Sequence, residues 1–171
     1  VNTDQYTSFV GANNYEIGLA AGNYAANYLP PNAIILEIWG LTQTSPAQER
    51  HKGFVDALRE REDLSFRKIE GQWLVDTARM ELRKLEHPEQ IDFVYAHNDM
   101  MAIAAREYFM AWDSIRGREL RIIGVDAVAG AGLEAVEDGR INASFLYPTG
   151  GEQVIRTAMR IIQGEPVEKF I

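Results

Sequence analysis

The sequence predicts an α/β fold in which a parallel sheet is covered by helices on both faces, giving three layers. Two observations lead to this prediction. Short apolar runs typical of buried strands alternate with amphipathic segments along nearly the whole chain. Several of these runs are followed at once by a residue suited to hydrogen bonding or stacking. Because the carboxyl ends of parallel strands meet at one edge of a sheet, we expect those residues to form one site.

The first part of the chain contains three predicted strands and two predicted helices. A short strand over residues 7–12 precedes a helix over residues 15–28, whose small and apolar residues have helical spacing until a Pro-Pro pair follows. The apolar run at residues 33–39 predicts a buried strand. A Ser-Pro-Ala-Gln sequence has the pattern of a capping box and begins a helix over residues 45–60, with the serine as N-cap. Residues 65–70 follow as a strand.

The middle of the chain continues the same alternation. A helix over residues 76–85 leads to an apolar strand at residues 91–96. An Asn-Asp pair, which is favourable at a helix N-terminus, then precedes a long helical pattern that ends near residue 112. The next strand is predicted at residues 120–125.

The C-terminal part is predicted to contain a short helix at residues 132–138, a strand at 141–146, an amphipathic helix at 152–163 and an extended segment at 167–171. The amphipathic helix has a continuous apolar stripe. A stripe of this size is unfavourable in water, so we expect further polypeptide or a second copy of the chain to cover it. Its residues are Val154, Ile155, Ala158, Met159, Ile161 and Ile162.

Composition limits the classes of function. The 171 residues are enough for one domain with a core, and 46% hydrophobic with 25% charged residues is usual for globular proteins. A net charge of −8 disfavours nucleic-acid binding, and the absence of cysteine excludes disulfides and thiolate metal sites. The apolar run around Glu37 is far shorter than the roughly 20 residues of a membrane helix. Because the chain begins with Val1, we expect it to be part of a longer protein.

Motifs for catalysis or cofactors are weak in this sequence. Residues 130–135 match the dinucleotide pattern G-x-G-x-x-A, but they begin several residues after the preceding strand, and no acidic residue ends the next strand. The three histidines lack metal-ligand spacing, and we expect His51 and His87 at the surface. We therefore predict no cofactor and no metal, and binding rather than catalysis.

The predicted strand ends suggest a site for a polyhydroxylated ligand. An arginine fork donates hydrogen bonds, an amide both donates and accepts, a carboxylate accepts, and an aromatic face stacks on a sugar ring. The candidate ligand-binding residues are Asn13, Arg50, Trp73, Asn98, Asp126 and Tyr147.

Four of these candidates also have purely structural interpretations. Arg50 fits a surface ion pair, and Trp73 fits a half-buried packing residue. Asn98 is a good helix N-cap, and Asp126 fits a loop cap.

The chain resembles the type I periplasmic sugar-binding proteins, and in particular the ribose-binding proteins, over nearly its whole length and most specifically in three segments. They are residues 44–54 (TSPAQERHKGF), 95–102 (YAHNDMMA) and 123–126 (IGVD). The resemblance implies a monosaccharide ligand, a periplasmic location and the two-lobed fold of that family. It also implies that the arginine, asparagine and aspartate of these segments bind the sugar, with Trp73 as the stacking aromatic.

The resemblance further implies how the chain is divided. Residues 1–12 correspond to a crossover between lobes, 13–147 to the second lobe, and 148–171 to a return segment of the first lobe. The expected partners are the sugar and the remaining lobe, with a second copy as a candidate and with membrane contact only through flanking segments.

Three biological contexts share this fold: transport binding proteins, sensor domains of hybrid histidine kinases and effector domains of lactose-repressor-type regulators. Val125 and Tyr147 differ from the aromatic residue and the glutamine of the ribose binders, so the sugar can be another pentose or hexose. Three large aromatics, Trp39, Trp73 and Tyr147, favour the kinase sensors, with fructose or ribose as the expected type of ligand. A repressor effector domain is the alternative, and an α/β enzyme comes third.

Overall fold

A computed structural model describes residues 5–112 and 120–171 of the chain. The described residues belong to two compact units. The larger unit is Asn14–Leu146, and the smaller unit joins the segment that ends at Asn13 to Tyr147–Ile171. The first four residues of the predicted segment 1–12 lie outside the described residues.

The larger unit contains the predicted parallel sheet. Within the described residues its five strands are β1 Ile34–Trp39, β2 Ser65–Glu70, β3 Phe93–Ala96, β4 Arg121–Asp126 and β5 Ala143–Leu146. All neighbouring pairs are parallel, and the order is β2-β1-β3-β4-β5. The chain therefore adds strands on opposite sides of β1, and the crevice between the carboxyl ends of β1 and β3 is the switch point where ligands bind in such sheets.

The helices follow the predicted alternation with small changes at their ends. In the larger unit they are α1 Asn14–Ala26, α2 Ser45–Ala57, α3 Val75–Leu82, α4 Asp99–Phe109 and α5 Gly132–Glu137, with short 3₁₀ turns at Pro88–Gln90 and Met110–Trp112. The smaller unit contains α6, Gly151–Ile162.

Alternating side chains of the strands pack on opposite faces of the sheet, as the period of two requires. Leu36, Ile38 and Val94 belong to a buried cluster that includes residues of α3 and α4. Tyr95 points the other way and stacks on Phe54 of α2, with ring centroids 4.3 Å apart. These contacts confirm the three-layer α/β prediction.

Helices α1 and α2 are in close backbone contact on that second face. Glycines lie at the contact: a methyl group on Gly18 would be 2.1 Å from the Arg50 carbonyl oxygen, and one on Gly53 would be 2.1 Å from the Tyr15 carbonyl oxygen. The close approach holds the first turns of α2, including Arg50, against α1.

Two local predictions are wrong. Residues 7–12 do not form a strand but make an isolated parallel bridge, in which Phe9 pairs with Phe170. Two short parallel segments share few hydrogen bonds, so the ladder does not extend. The N-cap position of α2 is Thr44 rather than Ser45, since Thr44 has extended backbone, and the Thr44 side chain makes no capping hydrogen bond. Pro46 is equally compatible with this start because the first-turn N–H groups of a helix have no intrahelical acceptor.

The apolar side chains of α6 are exposed within the described residues. Ile155 is 68% exposed and Ile162 is 77% exposed, while Thr157 is the buried residue of this helix. The stripe predicted from the sequence is thus present as an exposed surface, and what covers it stays a prediction.

Candidate functional site

Four of the six candidate residues come together at the carboxyl edge of the sheet. Arg50 of α2 is central, because its Nη2 atom lies 4.0 Å from Asp126 Oδ1 and its guanidinium carbon lies 5.3 Å from the centroid of the Trp73 ring. Asn98 joins the group by donating its side-chain amide to the Trp73 carbonyl at 3.1 Å. The structure therefore places a cation, a carboxylate, an amide and an aromatic ring next to one another.

Arg50 is a buried residue rather than a surface ion-pair partner, since only 4% of it is exposed. Its Nε atom donates to Asn14 Oδ1 at 2.9 Å, and its Nη1 atom donates to the carbonyl oxygen of His97. Two rigid elements, α1 and the end of β3, thus hold the guanidinium. A buried charge held in this way is pre-organised for hydrogen bonding to a ligand.

Asn98 has both of the roles that the sequence suggests for it. Its Oδ1 atom accepts from the Met101 backbone N–H at 2.9 Å, which caps α4, and its Nδ2 atom donates to Trp73. An amide oxygen accepts two hydrogen bonds and an NH₂ group donates two. One acceptor position and one donor position are therefore left beyond these two contacts.

The Trp73 ring is held in place by a tight contact and an unusual backbone conformation. A methyl group on Gly40 would lie 2.1 Å from the ring, so only glycine fits there. Trp73 has φ 68° and the preceding Gln72 has φ 55°, which is strained backbone for residues other than glycine. Since the guanidinium of Arg50 lies over the ring, Trp73 is also a cation–π partner.

The turn after β4 is strained in the same way. Asp126 has φ 119° and Ala127 has φ 50°. Strained backbone of this kind tends to cluster at functional sites, where the surrounding structure maintains it. Burial raises the pKa of the Asp126 carboxyl, while the charge of Arg50 opposes that rise. With its side chain 33% exposed, Asp126 is the more accessible member of the pair.

Asp99 maintains this turn and was missed as a site residue in the sequence. Its carboxylate accepts from the Ala127 backbone N–H at 2.8 Å and from the Ser144 hydroxyl at 2.6 Å. Gly124 and Gly132 make room for it, because a methyl group on either would lie within 2.3 Å of a carboxylate oxygen. The second glycine of the dinucleotide-like pattern therefore accommodates Asp99. The sequence feature that could have identified Asp99 as a site residue is its position close to the end of a predicted strand.

Burial raises the pKa of Asp99 to about 6, against the opposing hydrogen bonds from Ser144 and Ala127. Between about pH 4, where an unfolded aspartate titrates, and pH 6, the folded chain keeps a proton that the unfolded chain loses. Stability therefore falls as pH rises through this window. Asp99→Asn lacks this titrating group, so its stability should not fall in the window. We expect its free energy of unfolding, relative to that of the wild type, to increase by up to about 3 kcal/mol between pH 4 and pH 7. An asparagine can keep both hydrogen bonds, since the Ser144 hydroxyl can also accept.

Urea unfolding of both proteins at pH 4 and pH 7 measures this difference. Asp126 is present in both proteins, and its charge is one of the causes that raise the pKa of Asp99. The pKa of Glu37, lowered to about 2, affects both proteins alike. An equal pH dependence in the two proteins would contradict the role of Asp99.

A second missed group is a buried carboxylate between two histidines. Glu37 of β1 is 2% exposed, and its Oε1 atom is 2.9 Å from His97 Nε2 while its Oε2 atom is 2.8 Å from His51 Nδ1. His51 is therefore a hydrogen-bonded, half-exposed residue, whereas His87 is exposed as predicted. The sequence feature that could have identified Glu37 is the presence of an acidic residue inside an otherwise apolar strand.

The pKa values in this group have clear causes. Burial alone would raise the pKa of Glu37, but the hydrogen bonds from His51 and His97 outweigh it and lower the pKa to about 2. Burial lowers the pKa of His97, so this histidine is neutral at pH 7. The charged carboxylate of Glu37 therefore accepts hydrogen bonds from a ring nitrogen of each histidine.

Asn13 and Tyr147, the other two candidates, belong to the smaller unit. Their role in binding stays a prediction.

Two kinds of feature are absent from the described residues. No group of three or more histidine, cysteine, aspartate or glutamate residues there has a geometry that could hold a metal ion. None of the helices formed by residues 5–112 and 120–171 has the length and hydropathy needed to cross a membrane.

Known proteins are similar to this chain over nearly its whole length. The ribose import binding protein of Escherichia coli K12 is 27% identical over 173 residues, which cover 96% of this chain and 55% of that protein. The D-ribose/D-allose-binding protein of Pseudomonas aeruginosa is 28% identical over 168 residues, covering 94% of this chain and 50% of that protein. The chain therefore spans about half the length of the curated relatives it matches.

Solved structures of similar proteins have the same fold as this chain. The fructose-binding periplasmic domain of a hybrid two-component system is 37% identical with a TM-score of 0.90, covering 100% of this chain and 58% of that one. A Mycobacterium smegmatis protein in complex with β-D-fucofuranose is 29% identical with a TM-score of 0.86, covering 99% of this chain and 57% of that one. The family model described as periplasmic binding protein domain matches residues 1–166. The relatives indicate an extracytoplasmic domain, and the chain belongs to the periplasmic binding protein family.

Proposed function

We propose that this chain binds a monosaccharide, a pentose or hexose of the ribose or fructose type, at the carboxyl edge of its sheet. The observation that supports this most directly is the buried Arg50 guanidinium beside the accessible Asp126 carboxylate. A donor fork and an acceptor next to an aromatic ring match the hydroxyls and the apolar face of a sugar. Relatives whose names specify ribose, allose and fructose agree with this chemistry.

The same proposal assigns the units to lobes. Residues 1–12 are a crossover, 13–147 form the second lobe, and 148–171 return to the first lobe. The relatives are nearly twice as long as this chain, so the opposite wall of the cleft is supplied by sequence that this chain does not include. A sugar held by one wall loses hydrogen bonds and desolvation, and binding by residues 1–171 alone is expected to be weak.

The proposed context is the periplasm, where the domain acts as a binding protein rather than an enzyme. The fructose-binding periplasmic domain of the hybrid two-component system is 37% identical to this chain, whereas the ribose import binding proteins and the D-ribose/D-allose-binding protein are 26–28% identical. This difference favours a sensor domain of a histidine kinase over a transport protein. The relatives named here give no support to a repressor effector domain.

A thermal-shift experiment on the protein with both lobes tests the ligand class. D-fructose and D-ribose are the probes, and L-leucine and L-glutamate are the controls. A ligand that binds only the folded state stabilises it by about 2.7 kcal/mol at 100 times its Kd. We expect a rise in melting temperature with at least one of the two sugars. A shift with the amino acids and not with the sugars would overturn the proposal.

Asp126→Ala is expected to weaken sugar binding by about 1.5 to 3 kcal/mol, which is the range for a hydrogen bond to a charged group. The fold should remain intact, since Asp126 is on the accessible side of its pair and its carboxylate is partly hydrated. Isothermal calorimetry of the two-lobed protein gives the affinity. Asp126→Asn is the matched control, because it keeps the shape and one acceptor. Unchanged affinity in Asp126→Ala would rule out its role as an acceptor.

A further inference from the structure

Glu37 is an unusual residue at its position in the sheet. It lies in the middle of β1, in register with Lys68 of β2 and Tyr95 of β3, and is 2% exposed. Burying a carboxylate is costly unless hydrogen bonds compensate for the lost water. Here both oxygens are compensated, one by His97 and the other by His51. The cost of burial suggests a role beyond packing.

The hydrogen bond between Glu37 and His97 is connected to the site through the backbone of His97. The two neighbours of the His97 ring indicate its tautomer, because Nε2 faces the Glu37 carboxylate and Nδ1 faces the Gly40 N–H at 3.4 Å. The same residue accepts the Nη1 hydrogen bond of Arg50 on its carbonyl oxygen. A ring held on both sides keeps the peptide that follows it in one orientation. That peptide leads directly into Asn98.

The hydrogen bond between Glu37 and His51 is connected to the site through α2, which contains both His51 and Arg50. His51 is the residue after Arg50, and its ring also lies 4.5 Å from the Trp39 ring, centroid to centroid. The carboxylate of Glu37 therefore links the helix that presents Arg50 to the strand end that presents Asn98. Each histidine is the sequence neighbour of one of these two residues.

We propose that Glu37, acting through His51 and His97, is the positioning residue of the site and sets the separation and orientation of Arg50 and Asn98. This inference rests on the proposed sugar-binding function. Glu37 itself is buried, and its effect on the site passes through the two histidines. Loss of its charge loosens both neighbours at once.

The first test is Glu37→Gln in the two-lobed protein, with D-fructose or D-ribose as the probe, whichever binds the wild type. Glutamine removes the negative charge and replaces one of the two acceptor oxygens with an NH₂ donor, so the charge-assisted pairing with both histidines is lost. We expect the Kd to rise about tenfold or more, the effect of losing a hydrogen bond to a charged group. Val94→Ala is the matched control, since Val94 is fully buried in β3 among the cluster on the opposite face. It should lower stability and leave the affinity unchanged.

A double-mutant cycle with Arg50→Lys separates positioning from general destabilisation. If Glu37 acts by orienting the Arg50 guanidinium, Glu37→Gln should cost much less affinity in the Arg50→Lys background than in the wild type. Equal costs in the two backgrounds would overturn the proposal.

His51→Phe provides a second variant in case Glu37→Gln fails to fold. Phenylalanine keeps an aromatic ring beside Trp39 and removes the nitrogen that bonds Glu37. We expect a loss of affinity of several-fold that is again smaller in the Arg50→Lys background. Wild-type affinity in His51→Phe would overturn the proposal. A wild-type protein that binds neither sugar would instead contradict the proposed function, so the two failures are distinct.

Discussion

Arg50→Ala is expected to reduce sugar affinity at least about 100-fold, the largest binding effect of any single change in this site. Each hydrogen bond from a charged donor to the sugar contributes about 1.5 to 3 kcal/mol, and the guanidinium fork can donate more than one. The guanidinium is 4% exposed and contacts Asn14, His97 and Asp126. Its removal takes the guanidinium donors away from the Asn14 and His97 oxygens and the nearby positive charge away from Asp126. The raised pKa of Asp126 should rise further, because Arg50 is the charge that opposes the effect of burial.

Calorimetry of the two-lobed protein measures this loss, and Arg50→Lys is the matched control. Lysine keeps the charge but lacks the planar fork that reaches Asn14 and His97 together. We therefore expect an intermediate affinity for Arg50→Lys. An Arg50→Ala protein that binds within threefold of the wild type would exclude Arg50 from the site.

Gly53→Ala is expected to have the largest effect on stability. The added methyl group would lie 2.1 Å from the Tyr15 carbonyl oxygen and 2.7 Å from the Leu19 backbone nitrogen. Both are backbone atoms of α1, so the clash is relieved only by moving α1 and α2 apart. Overpacking of a core typically costs 1 to 3 kcal/mol and sometimes more, and we expect about 3 kcal/mol here. Because Arg50 lies on α2, the displacement should also weaken sugar binding.

Urea unfolding of Gly53→Ala and Gly151→Ala compares a crowded glycine with an open one. Gly151 begins α6, and a methyl group there meets no atom within 4 Å. Gly151→Ala should change the free energy of unfolding by less than about 1 kcal/mol, the usual difference between the two residues in a helix. Similar stability losses in the two variants would show that close packing of α1 on α2 is not what Gly53 provides.

The elements of the fold were predictable because their signals are local. Apolar period, helix caps and turn residues all act within a few positions, and they predicted the strands of the sheet to within about two residues at each end. Local signals were less informative where several starts are compatible, as at Thr44 and Ser45. The pair at Phe9 and Phe170 depends on residues far apart in sequence, so its extent was not predictable.

The site was predictable in part for the same reason. The strand ends before Asn98 and Asp126 are local features, and in a parallel sheet the topology brings such ends together. Arg50 was a candidate that also fitted a surface ion pair, and the family resemblance supported its assignment to the site. Whether these residues bind sugar stays a prediction.

By itself, the sequence determined the α/β class, the positions of the strand ends and the types of residue that follow them. Only the tertiary structure decided that Arg50 is buried and that Glu37 is held between His51 and His97. These partners are up to 60 residues apart in the chain. Their hydrogen bonds exist because the sheet and α2 exclude water around them, and an exposed peptide with the same residues would hydrate them instead.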